Sequence, residues 1–139
     1  MIPFFCYHTA IPESWKADYK SWEQNKYAPI LSQKATILFM DNYAPEESQR
    51  SDPLLSPALW KTGHSGLPPS VFQIAGQDPL RDEALIFERE LREQEGTKTK
   101  VELYPGQPHG FWSVAPTMKA SAKFVQDSVK SIGWLLEQK

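Results

Sequence analysis

The sequence predicts an α/β fold with a parallel sheet, and three observations carry that prediction. Three short β-prone runs, residues 2–7, 71–75 and 100–104, alternate with stretches whose apolar residues recur at helical spacing. The first run is apolar throughout, the character of a strand covered on both faces. The resulting order of strand, two helices, strand, helix, strand, helix is that of parallel strands joined by right-handed crossovers.

Each element has a local reason. Residues 2–7, Ile-Pro-Phe-Phe-Cys-Tyr, form the first predicted strand, with Pro3 limiting its length. Over residues 12–24, Trp15, Tyr19 and Trp22 fall at i, i+4 and i+7, which predicts an amphipathic helix with Pro12 in its first turn. Its aromatic face reads as a packing surface or as the lining of an apolar pocket. Ser32 is a good N-cap for a second helix reaching Tyr43, which Pro45 ends. Residues 44–70 read as loop, with 44–50 an exposed connection.

Residues 71–75 lie between Pro68-Pro69 and Gly76 and read as a buried strand. Leu80, Ala84, Phe87 and Leu91 keep one helical face, and Gly96 sits just past the end as its C′ residue. Residues 100–104 give the third strand. In the final helix, starting near Pro116, Met118, Ala122, Val125, Val129, Ile132 and Leu136 recur at alternating steps of four and three.

Composition narrows the function. The 139 residues fit one domain, and 40% hydrophobic residues suffice for a core. A net charge of −2 without a basic stripe argues against nucleic acid as a partner. No apolar stretch approaches the roughly 20 residues of a membrane span. The start lacks a basic leader and a cleavage site, so no signal peptide is expected, and the single cysteine, Cys6, suits a reducing, cytoplasmic location. The three histidines and Cys6 show no metal-ligand spacing, and no glycine-rich phosphate loop occurs. No metal or cofactor is expected.

Two residues carry the candidate chemistry. Asp78 follows a strand and a glycine, at the carboxyl end where parallel sheets place functional groups. As Asp-Pro opening a helix it also reads as a simple cap. His109 follows the next strand within Pro108-His109-Gly110, and by itself also reads as an ordinary loop histidine. Their conjunction is more telling: successive strands should be neighbours, so a carboxylate and an imidazole should meet. Asp82 and Glu83 read as the solvated side of a helix. Gly63-His64-Ser65-Gly66 misses the Gly-x-Ser-x-Gly spacing of a nucleophile turn, follows no strand and precedes no helix, so it reads as loop.

At Asp78-Pro79-Leu80-Arg81-Asp82-Glu83 and Tyr104-Pro105-Gly106-Gln107-Pro108-His109-Gly110-Phe111 the chain closely resembles the hormone-sensitive-lipase-like esterases, the α/β hydrolase fold-3 family. Ser51-Asp52-Pro53-Leu54-Leu55-Ser56-Pro57 and Leu67-Pro68-Pro69 look like the segments that lead to the acid-bearing strand there. The resemblance covers the whole chain and implies that Asp78 is the catalytic acid and His109 the base of a serine carboxylesterase acting on small apolar esters. It also implies that residues 1–139 are the C-terminal part of an α/β-hydrolase domain, lacking the Gly-Asp-Ser-Ala-Gly nucleophile elbow and the His-Gly-Gly-Gly oxyanion loop. Inactivity of the chain alone is therefore expected, as is self-association or partner pairing through the exposed edge of the first strand. Two alternatives are a noncatalytic protein that binds a partner through that edge and an independent ligand-binding α/β domain.

Overall fold

A computed structural model describes residues 4–138. Two parallel strands, β1 (Ser70–Gln77) and β2 (Thr99–Pro108), pair from Ser70↔Thr99 through Ala75↔Tyr104, and after a bulge at Gly76 end on Gln77↔Pro108. Gly76 permits the bulge, because a Cβ there would stand 3.0 Å from the Pro105 Cα. The first predicted strand, residues 2–7, falls partly on residues 1–3, outside the described residues. Residues 4–7 are not strand. Side chains there replace a ladder: the Phe5 and Cys6 N–H groups donate to Glu83 Oε2 at 3.1 and 2.9 Å, and the Tyr7 N–H donates to Ser56 Oγ at 3.0 Å.

Short helix α1 (Ser21–Gln24) and α2 (Gln33–Tyr43) precede the sheet. The single helix predicted over 12–24 is broken into a 3-10 turn at Glu13–Trp15 and α1. A tertiary contact breaks it, because the Lys20 and Ser21 amides donate to Asp82 Oδ2 at 2.7 and 2.6 Å instead of continuing one helix. The aromatics still pack inward: Trp15 and Trp22 are buried and Tyr19 lies against the core. Helix α2 begins as expected, with Ser32 Oγ accepting from the Ala35 N–H at 3.2 Å. Ser32→Ala should lower stability by about 1 kcal/mol, read from the thermal midpoint; an unchanged midpoint would remove the cap from the account. Residues 44–70 form loop with two 3-10 turns.

Helix α3 (Arg81–Glu93) connects the strands. Its end is closed by the Thr97 N–H donating to the Leu91 carbonyl at 2.9 Å across Gly96, whose φ is +67°; the C-cap is Gln94, so the glycine lies one position beyond the C′ place expected from sequence. Phe72 and Ile74 of β1 pack with Ala84, Phe87 and Leu91 on one side of the sheet. Ala75 and Tyr104 pack with Phe111 and Phe124 on the other. Phe111 opens the short helix α4 (Phe111–Val114), and Phe124 belongs to α5 (Lys119–Glu137).

The final helix is present but rotated from its predicted orientation. Its buried residues are Ser121, Phe124, Asp127 and Ser131, while Val125, Val129, Ile132 and Leu136 face outward. A polar interlock sets that rotation. The Tyr104 hydroxyl donates to Asp127 Oδ2 at 3.0 Å, Gln73 Nε2 donates to the Tyr104 hydroxyl at 3.1 Å and to the Phe124 carbonyl at 3.3 Å, and Ser128 Oγ donates to Gln73 Oε1 at 3.1 Å. Buried polar groups must be paired, so these bonds outweigh the pull of the apolar stripe.

Candidate active site

Asp78 and His109 each come directly after a strand, and the terminal β1–β2 pair places both strand ends side by side. His109 Nδ1 lies 2.7 Å from Asp78 Oδ2. A carboxylate oxygen accepts, so Nδ1 is the donor of this bond, and in a neutral imidazole Nε2 is then the acceptor. The other Asp78 oxygen, Oδ1, accepts from the Leu80 N–H at 2.8 Å. The two readings of Asp78 are thus compatible: one oxygen closes the turn into α3 while the other holds the imidazole. Asp78 is fully buried, whereas the His109 side chain keeps 31% of its surface accessible. Gly110 makes the turn after His109 possible, with φ of +66°, a conformation that side chains disfavour.

His109 opens on a cavity of about 370 Å³ walled by Phe4, Tyr7, Phe39, Met40, Tyr43 and Leu80. Its size and apolar walls fit a small organic ligand. Helix α2 supplies four of the cavity's nine lining residues, and the Trp15, Tyr19 and Trp22 face supplies none. A rare γ-turn helps to build it: Ile30 has φ of +70° and the Leu31 N–H donates to the Pro29 carbonyl at 2.9 Å, placing Leu31 in the lining. Nothing in the sequence signals that strained turn.

Asp82 and Glu83 correct the sequence reading, since neither is on a solvated face. Asp82 is buried under the Lys20 and Ser21 amides and pairs with Arg81 at 2.7 Å. Glu83 is completely buried; Oε2 takes the Phe5 and Cys6 amides, and Oε1 has no partner among the described residues. Desolvation, offset in part by those amides, pushes its carboxyl up from 4.5 to about 8. A signal for this was present: Glu83 stands three residues after Leu80 and four before Phe87, on the apolar stripe itself. Glu83 anchors residues 5 and 6, and their neighbours Phe4 and Tyr7 wall the cavity.

Cys6, also buried, has its thiol pushed up to about 12 by burial, which leaves it unreactive as a nucleophile. The Gly63–Gly66 segment is a turn after loop, as expected. Among the described residues no group of three His, Cys, Asp or Glu could hold a metal, and no helix is long and apolar enough to cross a membrane.

A hydrogen-bonded carboxylate and imidazole on adjacent parallel strand ends, beside an apolar cavity, is the arrangement of an α/β hydrolase. A family model for the alpha/beta hydrolase fold matches residues 6–113, and the chain belongs to that family, in its fold-3, carboxylesterase-like branch. An AB hydrolase superfamily protein of Schizosaccharomyces pombe is 35% identical over 98% of this chain and 39% of its own length. Versiconal hemiacetal acetate esterase of Dothistroma septosporum is 37% identical over 99% of this chain and 41% of its own length. The crystal structure of vibralactone cyclase superposes with a TM-score of 0.88 at 36% identity, covering 98% of this chain and 38% of that one. The chain spans about two fifths of the length of the curated relatives it matches.

Proposed function

We propose that this chain is the acid- and base-bearing part of a serine carboxylesterase, with His109 as proton carrier and Asp78 as the group that orients it, and that the 139 residues alone do not turn over an ester. The observation that carries this reading is the 2.7 Å contact between Asp78 Oδ2 and His109 Nδ1 at the wall of the apolar cavity.

In a complete domain of this type, a serine Oγ adds to the ester carbonyl carbon while its proton passes to His109 Nε2. The same proton then goes to the alcohol oxygen as the carbon–oxygen bond breaks, and water repeats the sequence to release the acid. Asp78 remains an acceptor throughout and stabilises the imidazolium. The substrate class is a small apolar ester, since the cavity offers apolar walls and few polar groups beyond His109 and Thr36. The 139 residues include no Gly-x-Ser-x-Gly turn between a strand and a helix, the element that would present a serine hydroxyl to His109.

Assay of the purified chain and of His109→Ala on a short-chain aryl ester tests the proposal. Both should match the buffer rate. Hydrolysis by the chain that disappears in His109→Ala would overturn the claim of inactivity.

A further inference from the structure

The turn that carries Asp78 is gripped through its carbonyls by a segment lying 51 to 58 residues earlier in the chain. Asn25, the C-cap residue of α1, donates from Nδ2 to the Asp78 carbonyl at 2.9 Å and, at a longer 3.4 Å, to the Gly76 carbonyl. Ser21, fully buried at the start of α1, donates its hydroxyl to the Pro79 carbonyl at 2.8 Å and accepts the Asp82 N–H at 3.0 Å. The sheet leaves room for such a grip. Its ladder is irregular at this point, passing from Ala75↔Tyr104 to Gln77↔Pro108, so strand pairing by itself fixes the turn loosely.

The two side chains do different things for the fold. Ser21 ties α1 to α3 in a dry place, where lost bonds leave buried polar groups unpaired. The carbonyls that Asn25 reaches each keep another donor, since the Asp78 carbonyl also accepts the Arg81 N–H at 3.1 Å and the Gly76 carbonyl also accepts Arg81 Nη1 at 3.1 Å. Stability therefore owes Asn25 little. Position owes it more, because Asp78 Oδ1 is held by Leu80 of the same turn while Oδ2 meets His109, and the carboxylate moves only as the turn moves. An uncharged donor suits the place: it grips the carbonyl without competing with His109 for the carboxylate, as a lysine would.

We propose that Asn25 is a positioning residue, which through the Asp78 carbonyl sets where the carboxylate meets His109 and so which imidazole nitrogen carries the proton. The consequence for catalysis rests on the functional reading above, in which Nε2 of His109 must be free to take a proton.

Nitrogen-15 NMR of the histidine rings tests this in the 139-residue chain at about pH 7.5, above the ordinary histidine value, with the His109 signals assigned by their loss in His109→Ala. The wild-type ring should be the Nδ1–H tautomer, its proton shielded from solvent. Asn25→Ala, and Asn25→Asp, which keeps the shape but lacks the donor, should both move the ring toward a mixture of tautomers and speed exchange of that proton about tenfold or more. Lys26→Ala, at the adjoining residue, should leave the signals as they are, and circular dichroism of all three variants should match the wild type. Unchanged His109 signals in both Asn25 variants overturn the proposal, as does loss of folding in both, which would make Asn25 a structural residue. A change in Asn25→Ala that Asn25→Asp does not share also overturns it, since packing and not the donor would then be responsible. A wild-type chain without the Nδ1–H signature removes the functional reading and this inference with it, whereas a wild-type signature that survives in the Asn25 variants removes only the part given to Asn25.

Discussion

Raising the pH from about 5 to 9 should destabilise this chain, and Glu83→Gln should remove most of that dependence. Burial holds the Glu83 carboxyl at about 8 against an ordinary value of 4.5, the Phe5 and Cys6 amides lower it in part, and Asp78 raises it further. The folded chain therefore holds this proton more tightly than the unfolded chain does. The stabilisation is complete below 4.5, declines above it and is lost once the pH passes through about 8. That linkage corresponds to about 3–5 kcal/mol. The other titratable groups around Glu83 are Cys6, Tyr19, Asp78 and Asp82; both Cys6 and Tyr19 are pushed upward by burial and stay protonated across this range.

The glutamine amide cannot release a proton, and its carbonyl can still accept from both backbone amides. Urea unfolding at pH 5 and pH 9 measures the effect. The wild-type chain should lose several kcal/mol between the two, and the variant's loss should be smaller by about 3–5 kcal/mol. Equal slopes would place the pH dependence elsewhere.

Trp15→Ala should cost about 3–5 kcal/mol, the usual range for removing a large buried aromatic. Trp15 is among the most buried side chains, packs in the cluster with Phe72, Ile74 and Leu91, and donates Nε1–H to Glu90 Oε1 at 2.6 Å. The substitution leaves a cavity between the Glu13–Trp15 turn and α3 and an acceptor without its donor. Trp15→Phe keeps most of the packing but loses the hydrogen bond, so a smaller cost of about 1–2 kcal/mol is expected. Denaturant midpoints of the two variants separate packing from the bond. A cost below about 1 kcal/mol for Trp15→Ala would show that the aromatic segment is not part of the core.

Two strands, α2, α3 and the last helix were legible because period, caps and turn residues act locally. Ser32 marks an end by accepting the Ala35 amide, Gly96 by taking a positive φ, and the prolines by their fixed φ and missing N–H. The pair Asp78 and His109 was legible for a topological reason: consecutive strands joined by one crossover lie side by side, so their carboxyl ends converge.

The misreadings share one cause, which is that a group far along the chain changed what a local pattern meant. The helix expected over 12–24 broke because Asp82, more than sixty residues away, took the Lys20 and Ser21 amides. Residues 4–7 looked like a strand by composition, yet the Phe5, Cys6 and Tyr7 amides found Glu83 and Ser56. Asp82 and Glu83 were placed in solvent because acidic side chains are seldom buried without partners, and those partners lie on distant segments.

By itself the sequence determined the α/β class, the order of most elements and the carboxylate and imidazole that meet at the strand ends, since these follow from short-range periodicity and strand adjacency. Only the tertiary structure decided which face of α5 turns inward, that Glu83 is a buried anchor, and that α2 walls the cavity beside His109. Those outcomes depend on satisfying buried polar groups across the whole chain, a condition that no local window of residues contains.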